Sequence, residues 1–115
     1  MRPHVVMLVA GLALSANSTV SYAGRFLIGD GGQSCGAWSQ QRAADGQLVQ
    51  LWKAWVLGFV SGANVYDGKE LKLEAIDAPG IYAWIDNYCR SHPLDHVYDG
   101  TKALVTELLR RAKEH

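Results

Sequence analysis

The sequence predicts an all-α protein, a small four-helix bundle with one disulfide. Apolar residues recur at steps of three and four through most of residues 34–115, which is the spacing of one buried helix face. Gly, Asp and Pro separate these segments at short intervals, so consecutive helices should pack antiparallel. The two cysteines, Cys35 and Cys89, fall in different segments. With 115 residues, 49% hydrophobic and 19% charged, one folded domain is expected.

Residues 1–23 have the features of a secretory signal peptide. Arg2 provides a positive start, residues 5–14 are apolar, and Ala23 places a small residue at the cleavage position. A membrane anchor is the alternative, but spanning a bilayer takes about 20 apolar residues, so we expect cleavage and a periplasmic location. The later apolar stretch, residues 48–66, is interrupted by polar side chains, and no stable membrane insertion is expected from it.

An even pair of cysteines in an exported chain most simply forms one disulfide. We therefore predict a Cys35–Cys89 bridge, with a metal-binding or redox pair as the alternative. The sequence has no Cys-x-x-Cys motif, and a two-cysteine metal site would need further ligands. By the loop-entropy relation, a bridge closing a loop of this length stabilises the fold by about 4 kcal/mol.

The first helix is predicted over residues 35–43. Residues 24–33 contain Gly-Asp-Gly-Gly and are expected to form a flexible lead-in to a helical domain at 34–115. Ser34 suits the N-cap of the first helix, which places Cys35 and Trp38 on one face. Asp45 is then available as the N-cap of the second helix.

The second helix, within residues 48–66, has the clearest apolar stripe. Gly58 and Gly62 lie one turn apart inside it, and each glycine costs about 1 kcal/mol relative to alanine. We therefore predict that both glycines allow close packing of another helix. The predicted stripe comprises Leu48, Leu51, Trp52, Trp55, Phe59 and Ala63, and Val56 and Val60 widen it.

Two further helices are predicted after a charged linker at residues 69–76, whose conformation the sequence leaves open. Asp77 suits the N-cap of the third helix, with Pro79 in its first turn and Cys89 at its end. The fourth helix is predicted from about Pro93 to Lys113. Its expected buried face includes Leu94, Val97, Tyr98, Thr101, Leu104, Val105 and Leu108, and the aromatic residues predicted for the core of the whole domain are Trp52, Trp55, Phe59, Trp84 and Tyr88.

No set of residues forms a convincing catalytic or metal-binding pattern. His92 and His96 are four residues apart, with Asp95 and Asp99 nearby, but two histidines leave zinc short of ligands, and a solvated helix start is expected instead. No serine lies in a Gly-x-Ser-x-Gly setting. We predict no enzymatic activity, cofactor or metal. The 11 basic and 11 acidic residues argue against nucleic-acid binding.

Three segments carry a family resemblance: CGAW at residues 35–38, GFVSGAN at 58–64 and WIDNYCRSHP at 84–93. Together with the leader and the cysteine pair, they resemble the HdeA/HdeB-like family of small exported helical proteins with a single disulfide. The resemblance covers most of residues 35–109. The Tai-type immunity proteins of type VI secretion share this architecture and a similar second helix with glycines.

The resemblance implies a protein partner, in one of three forms. HdeA-type membership implies an acid-stress chaperone, a folded dimer near neutrality that opens in acid to hold unfolded clients; a homodimer is therefore one expectation. Tai-type membership implies an immunity protein that binds and blocks a secreted periplasmic toxin. A structural module of the envelope is the third form.

Overall fold

The chain forms four α-helices in a computed structural model that describes residues 2–5, 11, 27–66, 68 and 70–114. Most of the predicted signal peptide lies outside these residues. The described part contains one isolated bridge, Ser34–His96, and no strand, so the all-α prediction is confirmed. The helices are α1 (Cys35–Ala44), α2 (Leu48–Tyr66), α3 (Ala78–Ser91) and α4 (Val97–Glu114), with short 3-10 helices at Asp30–Gly32 and Leu73–Ala75.

Side-chain caps begin α1 and α3, as predicted. The Ser34 hydroxyl accepts a hydrogen bond from the Ala37 amide at 3.0 Å, and Asp77 Oδ1 accepts one from the Gly80 amide at 2.7 Å. The prediction for Asp45 was wrong. Its backbone is left-handed (φ 51°), and its amide donates to carbonyls of the last turn of α1, so Asp45 ends α1 and does not begin α2.

The fourth helix begins later than predicted. The His96 amide donates to Asp99 Oδ2 at 3.0 Å, which caps a helix whose first residue is Val97 and not Pro93. Pro93 and Leu94 instead belong to a turn between α3 and α4. Leu94, predicted to be buried, is 92% exposed there, because the turn points it away from the bundle.

The predicted disulfide between Cys35 and Cys89 is confirmed. It joins the start of α1 to the end of α3, with the two Cα atoms 4.7 Å apart and both residues buried. Trp38, one turn after Cys35, is fully buried beside it. The buried apolar residues are Cys35, Trp38, Val49, Trp52, Val56, Val60, Leu71, Ile81, Ile85, Cys89, Val97, Leu104, Val105 and Leu108.

The buried face of α2 lies on one side of the predicted stripe, the side that Trp52, Val56 and Val60 form. Valines and one tryptophan face the core, whereas Leu48 and Leu51 are 54% and 59% exposed. Every turn of α2 offers apolar residues on several sides, so periodicity alone did not fix which side faces the other helices. The residues of α2 that are buried are Val49, Trp52, Val56 and Val60.

Of the aromatic residues predicted for the core, Trp52 alone is buried. Trp55, Phe59, Trp84 and Tyr88 are half-buried and pack against the edge of the core. Their large rings extend from the buried stripe toward solvent, since a bundle of this size has room for few tryptophans at its centre.

A close-packing glycine occurs at a position that the sequence analysis did not single out. Gly100 on α4 is buried, and a Cβ built on it would lie 2.9 Å from Cδ1 of Tyr88 on α3. A side chain at this position would therefore collide with the Tyr88 ring. Gly100 allows α3 and α4 to pack at their present separation.

The described part of the predicted flexible lead-in, residues 27–33, packs on the helical body. The 3-10 helix Asp30–Gly32 contacts α2 and α4, and the Trp55 indole N–H donates to the Ile28 carbonyl at 2.8 Å. Gly31 is buried against the Trp55 ring, where a Cβ would overlap it. The flexibility of the lead-in stays a prediction; it was based on local glycine content and did not anticipate the contact with this indole. Residues 24–26 lie outside the described part.

The linker before α3 also packs on the body. Leu71 is buried, and its amide donates to Asn64 Oδ1 on α2 at 2.9 Å. The 3-10 helix Leu73–Ala75 follows and leads to the Asp77 cap. One buried leucine and one amide hydrogen bond thus attach this charged segment to the end of α2.

Candidate protein-binding groove

An open groove of about 560 Å³ runs between α2 and α4. Gly58 and Gly62 lie on its α2 side, and both are exposed. A Cβ built on either glycine would meet no atom within 4 Å beyond its own helix and neighbours. The groove is lined by Gly58, Phe59, Gly62, Ala63, Tyr66, Tyr98, Lys102, Val105, Thr106 and Leu109.

The expected helix packing on Gly58 and Gly62 does not occur within the described chain. α4 contacts α2 through side chains that flank the two glycines, and the glycine backbone itself stays uncovered. Because glycine weakens a helix, two uncovered glycines one turn apart have no structural explanation within the described part of the chain.

Two rings that line the groove, Phe59 and Tyr98, form a cluster with Trp55. The Phe59 ring stacks on Trp55 with centroids 5.4 Å apart and meets the Tyr98 ring edge-on at 5.8 Å. Trp55 and Tyr98 also meet edge-on at 6.5 Å. Such offset and edge-to-face contacts stabilise one another and hold the rings in place. The Phe59 and Tyr98 rings of the groove are consequently held by their neighbours in the folded chain.

Little charge lines the groove. Lys102 is the only charged side chain among the described residues that line it, and its side chain is 50% exposed. Its ammonium lies 4.4 Å from the centroid of the Tyr98 ring and 3.7 Å from Asp99 Oδ1. Residues 48–66 contain one charged residue, Lys53, and no acid. The groove is therefore mostly apolar, and the charge of Lys102 is compensated by Asp99.

Exposed apolar residues extend the groove along α2. Val65 and Tyr66 are 79% and 93% exposed at its C-terminal end, and Leu48 and Leu51 are exposed near its beginning. Exposed large apolar residues beside a groove are a feature of interaction sites in folded proteins. Among the described residues, no helix has both the length and the hydropathy needed to cross a membrane.

A second cluster, away from the groove, joins α1 to α3. Asp86 accepts hydrogen bonds from the Trp38 indole at 2.7 Å and from two nitrogens of Arg42 at 2.9 and 2.8 Å. Burial by itself would raise the pKa of Asp86, but the hydrogen bonds from Arg42 and Trp38 outweigh it and hold the pKa below the ordinary 3.8. Asp86 is thus an ionised link between two helices.

A third cluster surrounds Tyr88 near the disulfide. Its ring stacks between Trp84 and His92, and its hydroxyl donates to Asp95 Oδ2 at 2.5 Å. Burial, followed by the hydrogen bond to Asp95 and the negative charge there, raises the pKa of Tyr88 to about 12. The Asp95 carbonyl in turn accepts from the Cys35 amide at 2.8 Å, so the cluster attaches the turn before α4 to the start of α1.

His92 and His96, the two histidines four residues apart, make separate contacts. His92 Nδ1 lies 2.9 Å from the carbonyl oxygen of Tyr88, and His96 Nδ1 lies 3.4 Å from Asp99 Oδ2. In the part of the chain that the structure describes, no three His, Cys, Asp or Glu residues are placed to share a metal ion.

Comparisons with known proteins identify no relative. No family model, no curated protein and no solved structure matches the chain. The HdeA-like resemblance therefore stays a prediction from the three sequence segments. The groove has to be interpreted from its own residues, of which Lys102, Tyr66 and Leu109 were not singled out from the sequence. The absence of acidic residues through 48–66 was the available signal that α2 brings no negative charge to the groove.

Proposed function

We propose that this is an exported, non-enzymatic protein-binding module that binds a folded protein partner through the groove between α2 and α4. One observation carries the proposal: the groove is apolar and open in the folded chain, with Gly58 and Gly62 uncovered. Export is supported by the leader-like residues 1–23 and by the Cys35–Cys89 disulfide.

An inhibitor of the immunity type is the form of this function that the geometry favours. Such a protein has to present a preformed surface, because binding energy spent on ordering the binder would weaken the complex. The ring cluster with Trp55 holds Phe59 and Tyr98 of the groove in place. The partner in this proposal is a secreted toxin met in the periplasm.

The test begins with the protein encoded beside this one. The exported, disulfide-bonded chain and its Gly62→Trp variant are titrated against that protein by calorimetry, with toxin activity as a second measurement. Filling the groove with an indole should weaken binding by about tenfold or more and release the toxin activity. Ala83→Trp, at an exposed position on α3, is the matched control and should bind like the wild type. Equal binding by wild type and Gly62→Trp would contradict the proposal.

An acid-stress chaperone is the second candidate, and a different observation favours it. Carboxylates make several of the contacts that define the fold: Asp77 and Asp99 cap helices, Asp86 links α1 to α3, and Asp95 holds Tyr88. Protonating them would loosen these contacts and leave the chain strongly cationic.

Near-UV circular dichroism from about pH 7 to about pH 2 distinguishes the two candidates. Loss of the aromatic signal in acid, together with suppressed aggregation of an acid-unfolded client, would establish the chaperone. Retention of the signal, together with groove-dependent binding at neutral pH, is the result expected for the inhibitor.

A further inference from the structure

We propose that residues 27–32 form a strap that closes over Trp55 and opens as a unit while the four helices stay folded. The strap is the described part of the chain before Gln33, and its 3-10 helix contacts α2 and α4. The inference depends on how the strap lies on the Trp55 ring, on how few contacts hold it there and on what its release exposes.

The backbone of the strap lies directly against the Trp55 indole. A Cβ built on Gly31 would overlap the ring, and one built on Gly29 would lie 2.8 Å from its Cδ1 atom. Gly29 also has a left-handed backbone, with φ at 89°, which disfavours residues that carry a side chain. The indole N–H donates to the Ile28 carbonyl at 2.8 Å. Glycine at positions 29 and 31 therefore allows the strap to close on this ring.

Few contacts hold the strap closed. Its one buried residue is Gly31, which has no side chain, and Ile28 is 92% exposed. Within the described part of the chain, one hydrogen bond joins the strap to the helices, and it is the exposed bond from Trp55. Segments that bury little apolar side chain and whose hydrogen bonds are exposed open locally at less free energy than global unfolding requires. The strap should therefore open without the bundle.

The opening unit ends at Gln33, because the chain after it is fixed. The Gln33 carbonyl accepts a hydrogen bond from the Val97 amide at 2.9 Å, and the Cys35 amide donates to the Asp95 carbonyl at 2.8 Å. The disulfide of Cys35 joins the same point to the end of α3. The strap can therefore leave α2 without disturbing the start of α1.

Release of the strap exposes one side of Trp55. The ring stacks on Phe59 and meets Tyr98 edge-on, and these contacts do not involve the strap, so the ring keeps its place when the strap leaves. Leu51, one turn earlier, is 59% exposed. The open form thus presents Leu51, Trp55 and Phe59 at successive turns along one side of α2. The consequence for a partner rests on the proposed function: the closed strap withholds Trp55 from a protein bound at Phe59 and Tyr98.

Alanine substitutions at two adjacent glycines test the strap. Gly31→Ala places a methyl group against the Trp55 ring and so disfavours the closed form, whereas Gly32→Ala adds the same group where it meets no atom within 4 Å. Both variants restrict the unfolded chain alike. Hydrogen exchange of the indole N–H groups is followed by NMR in the exported, disulfide-bonded protein and in both variants, with and without urea below the unfolding transition. Trp38 is the internal reference, because its indole is fully buried and bonded to Asp86.

In the wild type, the Trp55 indole should exchange about a hundredfold or more faster than the Trp38 indole, because the first exchange needs only the strap to open. Low urea should accelerate exchange at Trp38 and leave exchange at Trp55 nearly unchanged, since opening the strap exposes little surface. Gly31→Ala should accelerate exchange at Trp55 about tenfold or more, and Gly32→Ala should accelerate it at neither tryptophan. Near-UV circular dichroism verifies that both variants are folded.

Two results overturn the inference. Exchange of both wild-type indoles at the same rate, with the same urea dependence, would mean that the strap opens only when the whole bundle unfolds. Exchange at Trp55 that Gly31→Ala leaves unchanged would mean that the strap does not protect this ring. Either result leaves the proposed function standing, because the Gly62→Trp titration tests the groove without altering residues 27–32.

Discussion

The ring of Tyr88 on α3 lies directly against the backbone of Gly100 on α4. A Cβ on Gly100 would come within 2.9 Å of Tyr88 Cδ1, whereas a Cβ on Gly58 or Gly62 would meet nothing within 4 Å beyond its own helix and neighbours. The Tyr88 ring cannot easily move aside, since it stacks on Trp84 and His92 and is bonded to Asp95. Gly100 is therefore enclosed by a neighbouring helix, whereas Gly58 and Gly62 are open.

Alanine substitutions at these glycines should have opposite effects on stability. Gly58→Ala and Gly62→Ala should each stabilise the protein by about 0.5–1 kcal/mol, because alanine favours the helix and meets no obstacle. Gly100→Ala gains the same propensity but overpacks the α3–α4 contact, at a cost of about 1–3 kcal/mol, so it should destabilise the protein on balance. Urea denaturation midpoints measure all three. A stabilising Gly100→Ala would show that the Tyr88 ring gives way.

Removal of the disulfide should lower the free energy of unfolding by about 4 kcal/mol, because the bridge closes a loop over a sequence separation of 54. The variant is the double substitution Cys35→Ser and Cys89→Ser, studied by guanidinium unfolding. Treating the wild type with a reductant should approach the same midpoint. The double variant should not respond to the reductant, which controls for effects unrelated to the bridge.

Substitution of Asp86 should separate its hydrogen-bond role from its charge. Asp86→Ala leaves the buried Trp38 indole without an acceptor and frees Arg42, and it should destabilise the protein by about 2–3 kcal/mol. Asp86→Asn keeps an acceptor for Trp38 and loses the ion pair, so it should cost less. Thermal and urea unfolding at neutral pH measure both variants. Equal losses of stability in the two variants would mean that the hydrogen bond from the Trp38 indole to Asp86 contributes nothing to stability.

The stability contributed by ionised Asp86 should depend on pH in a defined direction. Its folded pKa lies below the ordinary 3.8, so the contribution is present above that value and is lost as the pH falls through the folded value. The difference in stability between the wild type and Asp86→Asn should therefore be constant above about pH 5 and should shrink below 3.8. A difference that stays constant into strong acid would contradict the assignment.

Tyr88 should ionise near pH 12 in the folded protein. The neutral phenol is favoured by burial and by its bond to Asp95, so the stability it contributes is present below the ordinary 10.0 and lost as the pH rises through about 12. A spectrophotometric titration of the phenolate should contain one late component, which Tyr88→Phe removes and the control Tyr82→Phe retains. Persistence of that component in Tyr88→Phe would assign it to another tyrosine.

Several local features could be predicted from the sequence because their causes are local. Ser34 and Asp77 cap helices through amides three residues away, and Pro79 fits a first turn wherever that helix packs. Asp45 shows the limit of this reasoning: an aspartate before a helix can also end the preceding one, and its left-handed backbone decided between the two roles. The start of α4 was misplaced for a similar reason, since the Asp99 side chain caps it at His96.

The candidate site was predicted only in part. The spacing of Gly58 and Gly62 marked the place where another helix could approach, but the sequence could not show that α4 leaves this surface uncovered. Lys102 belongs to a different helix, and its position beside Tyr98 at the edge of the groove depends on how α4 packs. The apolar periodicity of the sequence does not show how α4 packs against α2.

The sequence by itself determined the all-α class, the number of helices and the Cys35–Cys89 pairing, because apolar spacing, caps and the number of cysteines act over short distances or leave few choices. The tertiary structure decided which side of α2 is buried and that Gly100 is enclosed whereas Gly58 and Gly62 are open. It also decided that residues 27–33, before α1, pack on the helices. These outcomes depend on contacts between different segments of the chain. The Tyr88 ring packs against Gly100, and the Trp55 ring packs against Gly31. A side chain's environment is set by what packs against it, and for this chain that is fixed only once all four helices are in place.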